Sequence, residues 1–80
     1  MRLKPVVTEK AVMIIETQNI LTFQTEKKFS KTEIKEEIET LFGVKAEKIR
    51  TLVRKNQKYV YIKLKKEFPA IDVATKLGMI

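Results

Sequence analysis

The spacing of hydrophobic and polar residues changes several times along the chain, and each spacing predicts a different element. Residues 59–64 alternate between the two classes, which is typical of a half-buried strand. The same alternation predicts strands at residues 19–25 and 44–54, and a proline favours an extended strand near residues 4–7. The connection at residues 55–58 is short enough to be a turn. The pattern therefore predicts four strands.

Two of the predicted helices are marked by the residues at their ends. Thr8 is a capping residue before a helix expected over residues 9–17, where apolar residues recur at helical spacing. Pro69 fits the first turn of a final helix, which Gly78 ends. The apolar stripe of this final helix is predicted to consist of Ile71, Ala74 and Leu77.

The helix between these two has the most complete end signals. Ser30 and Glu33 form a capping box at its start, and Gly43 supplies the left-handed residue that ends it. Its predicted apolar stripe consists of Ile34, Ile38, Leu41 and Phe42. Its other face is acidic and is expected to point away from any nucleic acid, because it carries Glu36, Glu37 and Glu39. The element order β-α-β-α-β-β-α indicates an α+β fold.

Length and composition narrow the class of protein. Eighty residues predict a single domain spanning residues 1–80, and an apolar fraction of 44% is normal for a folded chain. Cysteine and histidine are absent from the sequence, so we expect no metal site, no cofactor and no enzyme. No apolar run approaches the ~18 residues of a membrane span, and the N-terminal residues lack a secretory signal. A cytoplasmic protein is the expectation.

Charge is distributed unevenly along the chain. The net charge is +7, from 17 basic and 10 acidic residues. Residues 1–43 contain seven of each sign, so the whole excess lies in residues 44–80. This asymmetry indicates a polyanionic partner, nucleic acid before membrane. A basic surface that only maintains solubility is the alternative.

The last two predicted strands present a basic and aromatic surface. If their aliphatic residues turn toward the helices, the inner side holds Ile49, Val53, Val60, Ile62 and Leu64. The outer side then holds Arg50, Arg54, Tyr59, Tyr61 and Lys63. Cationic side chains attract phosphates and flat rings stack on unpaired bases, so the outer side predicts a contact with RNA or DNA. The alternative is that the tyrosines are ordinary cross-strand residues.

A second basic segment lies at residues 27–31, immediately before the second helix. Its lysines meet a helix N-terminus, where free backbone N–H groups and the helix dipole favour a phosphate. The segment therefore predicts a second contact with a polyanion, and a solvated loop is the alternative.

Six segments of the chain resemble one known family. They are PVVTEKA (5–11), NILTF (19–23), KKFSKTEIKEEIETLFGVK (27–45), IRTL (49–52), YVYIKL (59–64) and KLG (76–78). Together they are similar to the universal ribosomal large-subunit protein L-twenty-three family, in its short archaeal-type form. The resemblance implies a four-stranded antiparallel sheet with packed helices.

The resemblance also implies a function and a set of partners. It implies a structural constituent of the large ribosomal subunit that binds 23S-type rRNA near the polypeptide exit tunnel, as a monomer within the ribosome and without membrane insertion. Neighbouring ribosomal proteins, the signal recognition particle or other nascent-chain factors are the implied protein partners. The implied factor-docking segment is Val7, Thr8 and Glu9. The residues expected to bind RNA are Lys4, Lys10, Lys27, Lys28, Ser30, Lys31, Lys35, Arg50, Thr51, Arg54, Lys55, Asn56, Lys58, Tyr59, Tyr61 and Lys63.

The chain departs from bacterial members of this family in one respect. Those members carry a long basic loop between the last two strands, whereas the connection here is limited to residues 55–58. We therefore do not expect this loop to line the tunnel. A free-standing RNA- or DNA-binding domain is the first alternative to a ribosomal protein, and a protein-interaction module or small enzyme is the second.

Overall fold

A computed structural model of the protein describes residues 3–79. Seven elements follow one another: β1 (Lys4–Pro5), α1 (Glu9–Gln18), β2 (Ile20–Thr25), α2 (Lys31–Phe42), β3 (Ala46–Arg54), β4 (Gln57–Leu64) and α3 (Ala70–Lys76). The predicted element order and the α+β class are confirmed. The strands form one antiparallel sheet in the order β1-β2-β4-β3. Within residues 3–79, no helix combines the length and the apolar character needed to cross a membrane.

The strand register sends the aliphatic residues to one side of the sheet. Phe23 of β2 lies opposite Val60 of β4, and Ile62 of β4 lies between Leu21 and Ile49. Directly opposite residues of antiparallel strands share a face, so these side chains form one layer, which we call the inner face. The helices cover this layer with Ile15, Ile34, Ile38, Ala70, Val73 and Ala74. Burial of each large aliphatic side chain in this core contributes about 1.5–3 kcal/mol to stability.

The predicted caps of α1 and α2 are confirmed, whereas Pro69 is the residue before α3 and does not lie in its first turn. The Thr8 hydroxyl accepts a hydrogen bond from the Ala11 backbone N–H at 3.1 Å and so caps α1. At α2, the Ser30 hydroxyl accepts from the Glu33 N–H while the Glu33 carboxylate accepts from the Ser30 N–H. Gly43 ends α2 with a φ of 62°, a conformation that costs glycine little.

The β3–β4 hairpin is tighter than its sequence indicated. Lys55 and Asn56 alone form the turn, with φ of 50° and 65°. Two successive left-handed residues are characteristic of a type I′ turn, whose twist matches that of paired strands. β4 therefore begins at Gln57, and the prediction of a turn over residues 55–58 was wrong. Two other strands are shorter than predicted. β1 (Lys4–Pro5) ends two residues earlier, and β3 (Ala46–Arg54) begins two residues later.

Three apolar residues predicted to face the core lie on the surface instead. Leu41 of α2 is 55% exposed, Ile71 of α3 is 38% exposed, and Val53 at the hairpin end of β3 is 52% exposed. In α2 the other predicted stripe residues lie in the core or pack against it, as Phe42 does. In α3 the helix is rotated so that Ala70 and Val73 are buried. The α2 stripe is therefore narrower than predicted, and the α3 stripe is rotated.

Asn19 joins the ends of three elements. Its backbone is left-handed, with φ of 58°, and its N–H donates to the carbonyl of Ile14 at the end of α1. Its side-chain amide donates to the carbonyls of Leu64 (3.0 Å) and Phe68 (3.1 Å). Its Oδ1 accepts from the N–H of Ala70 at 2.6 Å. Because the cap position of α3 is a proline with no side-chain cap bond, Asn19 supplies that cap from a distant part of the chain.

We expect Asn19→Ala to lower the free energy of unfolding by about 3 kcal/mol, measured by urea denaturation. The side-chain hydrogen bonds to Leu64, Phe68 and Ala70 are lost, at about 1 kcal/mol each, and alanine tolerates the left-handed conformation less well than asparagine does. Asn19→Gly restores the backbone freedom and should cost about 1 kcal/mol less than the alanine variant.

The matched control is Asn56→Gly, since Asn56 is also left-handed but its carboxamide accepts its hydrogen bond from an exposed side chain, that of Lys27. This variant should remain within about 0.5 kcal/mol of the original protein. Equal stabilities of the Asn19→Ala variant and the original protein would contradict the assigned role of Asn19.

Candidate nucleic-acid interface

The side of the sheet away from the core, which we call the outer face, has two tyrosines at its centre. Two adjacent cross-strand rows form this centre: Thr22, Tyr61 and Arg50 in one row, and Gln24, Tyr59 and Leu52 in the other. Both tyrosine side chains are half-buried, so each ring retains solvent-accessible surface. The predicted grouping of Tyr59, Tyr61 and Arg50 on one surface agrees with this register.

Cationic side chains surround the tyrosines. Lys63 and Lys48 lie opposite each other in the next row, and Lys4 of β1 lies opposite Gln24 at the other edge. Arg54 occupies the outer face at the hairpin end, opposite Gln57. The exposed cations of the outer face are therefore Lys4, Lys48, Arg50, Arg54 and Lys63. This arrangement provides phosphate-binding groups around a surface on which bases can stack.

Two predicted RNA-binding residues lie on the opposite side of the sheet. Thr51 pairs with Val60, and Lys58 pairs with Thr25 and Val53, so both belong to the inner face. The Lys58 ammonium donates to the Phe29 carbonyl at 2.7 Å. We expected Thr51 and Lys58 to share a surface with Tyr59 and Lys63. That expectation was wrong, because strand alternation places them on the other side of the sheet.

The basic segment at residues 27–31 contacts the hairpin turn. The Lys27 ammonium donates to Asn56 Oδ1 at 3.0 Å, and the Lys58 bond to the Phe29 carbonyl is a second link. Lys28 lies 3.3 Å from the Glu26 carboxylate and 5.3 Å from the centroid of the Phe29 ring. The basic segment and the predicted RNA-binding residues of the hairpin therefore form one surface. We call it the loop–hairpin surface, and it consists of Lys27, Lys28, Lys55, Asn56 and Lys58.

The remaining predicted RNA-binding residues belong to neither of these two centres. Lys31 and Lys35 line an open groove between α2 and β3, together with Glu36 and Glu39. The Ser30 hydroxyl is occupied by its capping bond. Lys10 lies on α1 and borders the same cleft as the two tyrosines of the outer face.

A comparison with protein-family models decides the class of this protein. The model for ribosomal protein L23 matches residues 1–72, which include all four strands and the helices α1 and α2. The chain belongs to the ribosomal protein L23 family. Proteins of this family are RNA-binding structural components of the large ribosomal subunit and act in translation.

In this L23-family chain, the predicted docking segment is exposed. Val7 is 60% exposed, and Met13, in the next turns of α1, is 58% exposed. The Glu9 carboxylate lies in the first turn of α1, where it complements the helix dipole. Thr8 is exposed as a residue, although its hydroxyl caps the helix.

Sequence reasoning missed three members of the outer face: Lys48, Gln24 and Leu52. Lys48 has the same parity as Arg50 in β3, so strict alternation would have found it. An irregular register between Ala46 and Lys48 ends that alternation at the start of the strand. Leu52 is 43% exposed and has the same parity as Arg50 and Arg54 in β3, so the same alternation would have placed it on the outer face. Within residues 3–79, no group of three or more His, Cys, Asp or Glu side chains is arranged to hold a metal.

We expect Lys58→Met to lower the free energy of unfolding by about 1.5 kcal/mol and to speed amide hydrogen exchange in residues 26–30. The substitution removes a charge-assisted bond to the Phe29 carbonyl but keeps an unbranched apolar side chain. Lys63→Met is the control, because Lys63 is on the same strand but exposed. Equal effects of the two substitutions would contradict the structural role of Lys58.

Proposed function

We propose that this protein is a structural constituent of the large ribosomal subunit that docks onto 23S-type rRNA through its outer face. The observation that carries this proposal is the cross-strand arrangement of Tyr59 and Tyr61 inside a ring of exposed cations. Membership of the L23 family supports RNA as the polyanion rather than DNA or a membrane. The proposed location is the cytoplasmic ribosome, near the polypeptide exit tunnel.

Electrostatic attraction and stacking have separate roles in this docking. Each phosphate neutralised by a lysine or arginine releases counterions, so the cations supply affinity that depends on salt. Stacking of an unpaired base on a tyrosine contributes about 1–3 kcal/mol and depends little on salt. The combination favours folded rRNA, which presents both a phosphate backbone and unpaired bases.

The loop–hairpin surface provides a second, weaker contact. Lys27 and Lys58 are held by bonds to Asn56 and to the Phe29 carbonyl, so their positions are defined before RNA binds. The N-terminus of α2 contributes less than its sequence indicated, since the Glu33 carboxylate already accepts from the Ser30 N–H. This surface therefore acts through its lysines more than through the helix dipole.

The segment formed by Val7, Thr8 and Glu9 is proposed as a docking point for the signal recognition particle or other nascent-chain factors. Its support is an exposed apolar side chain beside an exposed acid, at the start of a well-capped helix. The two-residue hairpin turn leaves no extension that could line the tunnel. Neighbouring ribosomal proteins are expected partners, and the protein is expected to be monomeric within the ribosome.

A free-standing RNA- or DNA-binding domain is the second candidate, because the outer face would also suit a non-ribosomal RNA. Sedimentation of cell extract in high salt separates the two candidates. A ribosomal protein should travel with large subunits, whereas a protein confined to the light fractions would support the free-standing domain.

We expect the double variant Arg50→Glu, Arg54→Glu to bind large-subunit rRNA at least about tenfold more weakly in a filter-binding assay. The slope of log affinity against log salt concentration should fall in magnitude by about 2, since two phosphate contacts are lost. Both arginines are exposed on β3, so the fold should be retained.

The matched control is Lys66→Glu, Lys76→Glu, which changes the net charge of +7 by the same amount. Lys66 lies between β4 and α3, and Lys76 lies at the end of α3, so neither residue belongs to a strand of the sheet. Equal losses of affinity in the two double variants would mean that overall charge, and not the outer face, determines binding.

A further inference from the structure

A small cleft lies where α1 meets the outer face of the sheet. On the helix side it is bordered by Lys10, Ala11 and Ile14, and on the sheet side by Thr22, Tyr59 and Tyr61. Its volume is about 120 Å³. Since a water molecule occupies about 30 Å³ in the liquid, the cleft is larger than an ordinary packing defect.

Thr22, which borders this cleft, has a hydroxyl with no hydrogen-bond partner. The residue is only 4% exposed, and its Oγ1 contacts no donor or acceptor within residues 3–79. A buried hydroxyl without a partner costs about as much free energy as a lost hydrogen bond, and native proteins contain few of them. Valine would fill the same space at this strand position without that cost. Packing alone therefore does not account for the hydroxyl.

The surroundings of the cleft favour a flat, polar-edged ligand attached to a polyanion. Its sheet side carries the rings of Tyr59 and Tyr61, which can pack against a planar ring. The neighbouring Arg50 shares a row with Thr22 and Tyr61, and the Lys10 ammonium belongs to the helix side. A nucleobase meets these demands, because its faces stack, its edge carries donors and acceptors, and its phosphates suit the cations.

We propose that the cleft receives one unpaired nucleobase of the bound rRNA, whose edge pairs with the Thr22 hydroxyl. This inference rests on the proposed docking of the outer face onto rRNA. The Thr22 oxygen is shielded from solvent in the free protein, so side chains that border the cleft must shift when the base enters and packs against the tyrosine rings. Thr22 then has its partner only in the complex, and the free protein bears the cost of the unpaired hydroxyl.

Thr22→Val tests this assignment because it should change stability and RNA affinity in opposite directions. Removal of the unpaired hydroxyl should raise the melting temperature of the free protein. The same variant should bind large-subunit rRNA about fivefold more weakly, as expected for one lost hydrogen bond, with an unchanged salt slope. In chemical probing with dimethyl sulfate and carbodiimide, one unpaired base protected by the original protein should become reactive.

Two further variants make the result specific. Thr22→Ser keeps the hydroxyl, so it should retain the base protection even though the lost methyl group lowers the melting temperature. Thr75→Val removes a threonine hydroxyl from the exposed surface of α3 and should leave rRNA affinity unchanged.

The outcomes separate this inference from the proposed function. If Thr22→Val binds rRNA as tightly as the original protein with the same pattern of protected bases, the cleft holds only water and the inference is overturned. If the original protein fails to bind large-subunit rRNA, or binds it independently of Arg50 and Arg54, the proposed function fails first. Weaker binding and loss of one protected base in Thr22→Val alone support the nucleobase site.

Discussion

The position of α3 depends on Asn19, a residue with a left-handed backbone and a side chain whose donor and acceptor both form hydrogen bonds. It ends α1, receives the backbone N–H of Leu64 at its own carbonyl, and caps α3 at Ala70. These bonds join segments 45 and 51 residues apart along the chain. A chain of this length buries a small core with little margin, so the closure of its last helix onto the sheet matters. Asparagine suits the site because it tolerates the left-handed conformation and offers both donors and an acceptor.

The register of β4 between β2 and β3 determines which side chains belong to the inner face and which belong to the outer face. The inner face is aliphatic and is covered by helices, while the outer face combines two tyrosines with exposed cations. A shift of one residue would exchange the two sets of side chains, burying the lysines and exposing the core. The type I′ turn at Lys55 and Asn56 stabilises the observed register. The geometry that stabilises the fold therefore also assembles the proposed RNA-binding surface.

Electrostatic repulsion links the folding of this protein to its partner. A net charge of +7 on 80 residues opposes compaction, and the excess is concentrated in the segment that forms β3 and β4. A bound polyanion would neutralise that repulsion and stabilise the folded state by mass action. The acids of α2 offset part of this charge, and two of them, Glu36 and Glu39, line the groove between α2 and β3. The buried hydroxyl of Thr22 also lowers the stability of the free protein, and the proposed nucleobase would supply its hydrogen-bond partner.

The amino-acid sequence by itself determined the features that depend on neighbours within about four residues. These include the Thr8 cap, the capping box of Ser30 and Glu33, the stop at Gly43 and the alternation of β4. The motifs that resemble the family are local patterns of the same kind. Only the tertiary structure decided features that depend on distant contacts: the bond of Lys58 to a residue 29 positions away, the exposure of Leu41 and the bridging role of Asn19. Local patterns specify which faces are apolar. Only packing specifies which apolar residues are covered and which polar groups find partners, because the partners come from elements that the local pattern does not contain.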